Sequence, residues 1–277
     1  MAFIDDYPGG RCPVLAPIYF DSDGWPTLYS PDEGFAIPEK YPQSKVPVPP
    51  LTGTDRFLGP SLSPQWEWNH NPDTSKYSFA KGGGLVLHTA TVTNDLHHAR
   101  NTLTHRILGP NSTATIELDI SKMKTGDRAG LSLFRDNSAY ISVQDGSIAL
   151  WNNVTLGAGW NTLSTGYKEA SVSLPPAHYG KKASNVWFRL HANIAPLSDK
   201  LGTFSYSTDG HTFHQLGAPY LMNTTYYYFI GYRLVFLFTH ALSRLGILTA
   251  SRYGIFNFAT EELGGSVTVN SFTQTSP

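Results

Sequence analysis

From Arg56 onward the chain is written almost entirely in short runs that alternate apolar and polar residues, each closed by Gly, Pro, Asn or Asp. "GLVLHTATV", "ATIELDI", "AGLSLF", "AYISVQ", "SIALWNNVTL", "ASVSLP", "VWFRLHANI" and "GTFSYS" are of this kind, rich in β-branched and aromatic residues. Alternation at period two sends successive side chains to opposite faces of an extended strand, and branched or aromatic side chains suit that pleated surface. Asp209-Gly210 stands between two such runs as a hairpin-turn signal. Many short strands without helical interludes predict an all-β fold, a sandwich or jelly roll rather than a parallel α/β sheet. No solenoid repeat interrupts this reading.

The 277 residues are enough to bury a sizeable core. A formal net charge of −1 gives no footprint for nucleic acid and no basic membrane patch. Cys12 is the only cysteine, which excludes an intrachain disulfide and a cysteine-based zinc site. Abundant Tyr, Phe, Trp, Asn, Thr, Ser and Gly against few charges is a mixture common in extracellular β-proteins that meet sugars. Three sequons, at Asn111, Asn153 and Asn223, would accept N-glycans in a secretory pathway. The N-terminus, MAFIDDYPGG, has neither a basic nor an apolar leader region, so no signal peptide is read in the chain as written.

Residues 1–37 contain two short apolar runs around the turn Asp21-Ser22-Asp23-Gly24. Two strands cannot bury a core alone, so this piece must lean on something else. Prolines at 38, 42, 47, 49 and 50 mark 38–52 as a stiff extended linker to a β-sandwich at 53–277.

Several residue groups invite a chemical reading. Asp5-Asp6 followed by Gly9-Gly10-Arg11 is either a polyol-facing loop or a solvated turn. In "SPQWEWNHNPD", Trp66 and Trp68 share one strand face, with Asn69, His70 and Asn71 at its end. Aromatic faces and amides suit sugar rings, yet such tryptophans equally fill a sandwich core. His97-His98 and His211-x-x-His214 lack a third ligand, so no metal is placed on them. Asp127-Arg128 is read as a salt bridge or hydrogen-bonded turn, and "KGGG" at 81–84 lacks the helix a phosphate loop needs. No carboxylate pair of the kind that flanks a glycosidic bond is identified in 56–277.

The succession "DDYPGGRCPVLAPIYFDSDGWP", "RFLGPSLSPQWEWNHNPD", "ARNTLTHRILGPNSTATIELDISKMKTGDRAGLSLF" and "YGIFNFATEELGGSVTVNSF" resembles the C-terminal half of fungal glycoside hydrolase family 43 enzymes, of the β-xylosidase and α-L-arabinofuranosidase type. The resemblance implies a concanavalin-A-like β-sandwich (jelly roll) preceded by a remnant of the last blade of a five-bladed β-propeller, residues 1–37. It also implies that the three catalytic acids, which work with inversion, lie upstream of Met1, so no catalytic residue is assigned here. The propeller becomes the sandwich's partner, the parent is expected to be secreted, and xylo- or arabino-oligosaccharide is the expected ligand class. Gly10-Arg11 matches the family segment in which an arginine reaches sugar hydroxyls. Arg11, Trp66, Trp68, Asn69 and His70 are therefore the substrate-binding candidates. No cofactor is required; calcium is seen in some members, and no acidic cluster here places one. An independent lectin-like module remains the alternative.

One segment departs from all this. Leu234 to Ala250 is barely long enough to span a membrane and carries His240 and Arg244 centrally, a central Arg costing roughly 2.5 to 3.5 kcal/mol. Its apolar residues at 234, 237, 238, 241, 242, 245 and 248 share a helical face. Joining Arg233 to Tyr253 instead gives "FIGYRYGIFNFA", a continuous strand that matches the family. Residues 234–252 are thus expected to translate a retained intron: Arg233-Leu234 can hide a GT donor, Leu248-Thr249 a CTAAC branch sequence and Arg252 an AG acceptor. The chain as written is expected to be poorly soluble.

Overall fold

The computed structural model describes residues 2–6, 8–14, 18–28, 50–157, 159–175, 185–195, 197–224 and 251–276. The expected linker lies outside them except at 50–52, and the expected insertion except at Ser251 and Arg252.

Two small antiparallel ladders come first. β1 (Ala2–Asp6) pairs with β2 (Gly10–Val14), and β3 (Ile18–Phe20) with β4 (Pro26–Leu28). The second closes on the predicted turn, where Asp21 Oδ1 accepts the amides of Asp23 and Trp25. Phe20 and Trp25 stand about 70% exposed. That exposure is what two strands without a third layer must show.

The following strands build the body of the molecule. They are β5 (Gly53–Asp55), β6 (Trp66–Trp68), β7 (Tyr77–Phe79), β8 (Leu85–His88), β9 (Leu103–Arg106), β10 (Asn111–Asp119), β11 (Asp127–Phe134) and β12 (Asn137–Gln144). After them come β13 (Ser147–Leu156), β14 (Thr162–Ser173), β15 (Asn185–Asn193), β16 (Leu201–Ser207), β17 (His214–Gln215), β18 (Tyr220–Leu221), β19 (Arg252–Ala259) and β20 (Ser266–Thr275). One sheet runs β14-β13-β12-β11-β19-β9-β6. The other runs β17-β16-β15-β10-β20-β8-β7, with β18 beside β16 and β5 beside β20. Every strand pair is antiparallel. Among the described residues the only helical pieces are 3-10 turns, and none is long and apolar enough to cross a membrane.

The expected all-β sandwich is therefore present, and alternation explains its core. In β10, Ser112, Ala114, Ile116 and Leu118 are fully buried while Thr113, Thr115, Glu117 and Asp119 are half-exposed. β15 repeats the pattern with Val186, Phe188, Leu190 and Ala192 inward. These meet Leu131, Leu133, Ile141, Val143, Ile148, Leu150, Tyr253 and Ile255 of the facing sheet. Each such aliphatic or aromatic side chain contributes about 1.5–3 kcal/mol on burial.

β11 breaks the alternation, since all eight of its residues are buried. Its outer face is covered too: Leu96 and Ala99 pack with Phe134, Tyr140, Val154, Phe256 and Phe258 into a second apolar cluster. The coil carrying Leu96 is fastened at Asp95, whose carboxylate accepts the Thr162 hydroxyl, and at His97, whose Nε2–H donates to the Arg135 carbonyl across 2.7 Å. Arg128 lies on the same face with its guanidinium 4.1 Å from the Trp151 ring centre, donating to Gln144 and to the Tyr140 hydroxyl. Burial pushes that tyrosine up to about 12.

Candidate functional site

The sheet order brings together residues that are far apart in sequence. β6, the "WEW" strand, forms the end of the seven-stranded sheet and pairs with β9, which pairs with β19. Glu67 points away from the core and meets Arg252 of β19, Oε2 to Nη1 2.8 Å. The residue before it, Ser251, donates its amide to the Pro8 carbonyl at 3.1 Å. Pro8 lies in the turn between β1 and β2, and Arg11 stands opposite Asp5 in that hairpin. The hairpin bearing Arg11 and the strand bearing Trp66 and Trp68 are thus delivered to one end of the sandwich.

Within this end, the candidates take different places. Trp66 is 7% exposed, edge-on to His105 and Phe272 and tilted on Phe57. Its Nε1–H donates to Asp55 Oδ2 at 2.9 Å. Trp68 shares the inner face and packs on Tyr77 with ring centres 4.8 Å apart. The structure places both indoles on the core side, the packing alternative of the sequence reading, and leaves Glu67 between them as the residue facing outward. Asn69 is buried, its backbone N–H donating to the Thr102 carbonyl. His70 is half-buried and its Nε2–H donates to the His97 carbonyl at 2.7 Å, which leaves Nδ1 as the free acceptor in the neutral ring. Arg100 Nε on the Asn71 carbonyl and Asn101 bridging Asp73 brace the same loop. "WEWNHNPD" is accordingly a strand and a fastened loop, with Glu67 held by Arg252 and His70 by a backbone carbonyl.

A shallow open depression of about 500 Å³ lies beside it, lined by Thr54 to Pro64. Its acid, Asp55, already accepts from Trp66 and from the Phe57 amide, and so serves the loop's own geometry.

Other sequence candidates resolve into turns. Asp209 Oδ1 accepts the amides of His211 and Thr212, which holds its carboxyl well below the usual range. His214 lies tilted against Tyr206, ring centres 5.6 Å apart. Asp127 is fully buried with Oδ2 on the Lys124 amide, and desolvation raises its pKa. The Asp127-Arg128 reading as a hydrogen-bonded turn is the observed one. At 82–84 three glycines in succession have positive φ, and a Cβ on Gly83 would stand 3.0 Å from the Arg56 carbonyl oxygen. That tight backbone reversal, rather than phosphate binding, accounts for "KGGG". Among the described residues no three His, Cys, Asp or Glu side chains converge. The Glu67–Arg252 pair was not singled out in the sequence. The W-E-W alternation signals Glu67's outward direction, while its partner is set by sheet order.

A double-layered antiparallel sandwich with a short hairpin tied to the end of one sheet defines an all-β domain of the concanavalin A-like class. The chain belongs to the family described as the β-xylosidase C-terminal concanavalin A-like domain, whose model matches residues 54–242. A β-xylosidase of Formosa agariphila is 34% identical over 154 aligned residues, 46% of this chain and 26% of that protein. A solved GH43 glycoside hydrolase, engineered at its active site to display both endo-xylanase and exo-arabinofuranosidase activity, is 38% identical with a TM-score of 0.83, over 99% of this chain and 51% of that one. A bifunctional GH43-CE protein of Bacteroides eggerthii is 29% identical with a TM-score of 0.75, over 99% and 32%. The chain spans about half of that solved hydrolase and about a quarter of the curated β-xylosidase. The family match ends at residue 242, inside the atypical segment, although β19 and β20 beyond it are interior strands of the two sheets.

Proposed function

We propose that this chain is the accessory sandwich, with the end of the catalytic propeller, of a secreted glycoside hydrolase that cleaves xylosyl or arabinosyl linkages with inversion. The observation that carries this reading is the likeness of residues 54–242 to the β-xylosidase C-terminal concanavalin A-like domain, beside which a backbone bond ties the Pro8 carbonyl of the N-terminal hairpin to the sandwich. In this reading the sandwich steadies the hairpin that bears Arg11, whose planar fork suits paired sugar hydroxyls. The propeller is its partner, and pentose oligosaccharide is the ligand class of the joined protein. Residues 1–37 belong to the propeller and 53–277 to the sandwich. Catalysis needs one carboxyl as acid and a second as base across the scissile bond. These are expected upstream, so the chain alone is inactive.

Assays of the chain on aryl xylosides and arabinosides, beside a protein extended upstream through the propeller acids, test the reading. Turnover by the extended protein and none by the chain is expected; turnover by the chain alone defeats it. Calorimetry of residues 53–277 with xylo-oligosaccharides separates the lectin-like alternative, which requires measurable heat.

A further inference from the structure

Three sequons look equivalent in the sequence, and the fold makes them unequal. We propose that Asn153 is an N-glycan acceptor in the folded protein and that Asn223 is not; this rests on the reading of the parent as a secreted protein, of a eukaryotic cell.

Asn153 sits where β13 leaves its ladder. Tyr140 pairs with Trp151 and Ser138 with Val154, so Asn152 and Asn153 have no register partner on β12. Such a bulge re-aims side chains. Asn153 takes φ +60°, a left-handed conformation that asparagine tolerates better than most residues. It is exposed, while the next residue, Val154, is fully buried in the outer apolar cluster. A buried anchor thus holds the acceptor outward, and Thr155 completes the sequon on a half-buried position.

Asn223 is the opposite case. Its Nδ2, the nitrogen that would carry the sugar, donates to Asp136 Oδ2 at 2.9 Å, and its carbonyl accepts from Arg135 Nη1. Arg135 is 1% exposed and Asp136 7%. A glycan would take the place of one of the two protons on that nitrogen, and its bulk would have to be fitted beside the nearly buried pair of Arg135 Nε and Asp136 Oδ1, 3.1 Å apart, which disfavours the site in the folded chain. Asn111 is half-buried at the start of β10 and bears on neither statement.

The transfer balances without a redox change. Asn153 Nδ2 bonds to the anomeric carbon of an oligosaccharide carried on a polyprenyl diphosphate. The bond from that carbon to the diphosphate oxygen breaks, and its electron pair leaves with the diphosphate. One amide proton passes to a base of the transferring enzyme. The product is a bulky, solubilising surface group.

The test is secretion of the full chain from a yeast host behind a heterologous leader, which supplies the compartment whatever the natural address. Release of glycans by peptide N-glycosidase in heavy-oxygen water, then peptide mass spectrometry, marks each occupied asparagine as labelled aspartate. Label at 153 and none at 223 is expected in folded, secreted protein, and Thr155→Ala, which leaves Asn153 in place, removes the label at 153. An unmodified Asn153, or an occupied Asn223 in folded protein, overturns the proposal. If the chain stays in the cell, Asn153 is read on microsomal protein, where modification supports the site and its absence overturns it.

Discussion

Arg252 Nη1 meets Glu67 Oε2 at 2.8 Å at the end of the seven-stranded sheet, joining the first residue of β19 to the outward residue of β6. Arg252 is also the residue at which the atypical segment ends. In a chain lacking 234–252, Arg233 would precede Tyr253 and occupy the register position opposite Phe134 and Arg106.

Deleting 234–252 is therefore expected to keep the sandwich and raise soluble yield, because the same side chain remains to meet Glu67. Soluble fraction and a thermal melt check this, and loss of the cooperative transition counts against it. The ion pair itself is a minor part of the effect. Glu67's side chain is 63% exposed, and such pairs contribute roughly 0.2–1 kcal/mol, the loss expected for Glu67→Ala.

Trp66→Ala should cost about 3–5 kcal/mol, as for other large aromatic truncations in cores. It removes the ring lying between Phe57, His105 and Phe272 and orphans an Asp55 oxygen. Denaturant unfolding measures the loss. Unchanged stability with reduced sugar binding would favour the sugar-facing alternative for Trp66.

Stability should fall as pH drops below about 6.5. Burial lowers the pKa of His97, between Asp95, Asp136, His98 and the Arg135 carbonyl, and of His105, beside Asp55, Arg252 and the Arg106 carbonyl. Below the ordinary value of 6.5 the unfolded chain therefore binds protons that the folded chain refuses, and folding is penalised. Asp127, raised by desolvation, acts with the opposite sign: its stability contribution is present below the ordinary 3.8 and lost as pH rises. Melting midpoints between pH 5 and 8 check the histidine effect, and His97→Gln with His105→Gln should flatten the slope. An equally steep slope in that double variant contradicts the assignment.

Arg128→Lys should destabilise by about 1.5–3 kcal/mol through hydrogen bonds to a charged group. Lysine cannot reproduce the planar stack on Trp151 while donating to Gln144 and Tyr140. Unfolding together with Trp emission reads both losses, and unchanged values in both would show the stack to be incidental.

Strand-forming runs were directly legible. "SIALWNNVTL" coincides with β13, and "AGLSLF", "AYISVQ" and "GTFSYS" fall within β11, β12 and β16. β14 was seen only at its C-terminal end, because "TLSTGYKEA" is polar and lies on an end strand with little burial to pattern it. The run "GLVLHTATV" overreached, since β8 ends at His88 and a coil follows, whose Leu96 and Ala99 cover an outer sheet face formed by residues of β11, β12, β13 and β19. Among the site candidates, "WEW" announced a shared face for its tryptophans but not which side of the sheet that face would be.

The sequence by itself determined the period, the turns and hence the antiparallel sandwich, because these are local properties of a chain with one side chain per pleat. Only the tertiary structure decided that Trp66 packs inward on Phe272, that Glu67 meets Arg252, that Pro8 receives Ser251, and that Asn153 faces solvent while Asn223 holds Asp136. Each depends on which distant strands become neighbours. Strand order is fixed by the summed burial of both sheets, a quantity that no single stretch of sequence contains.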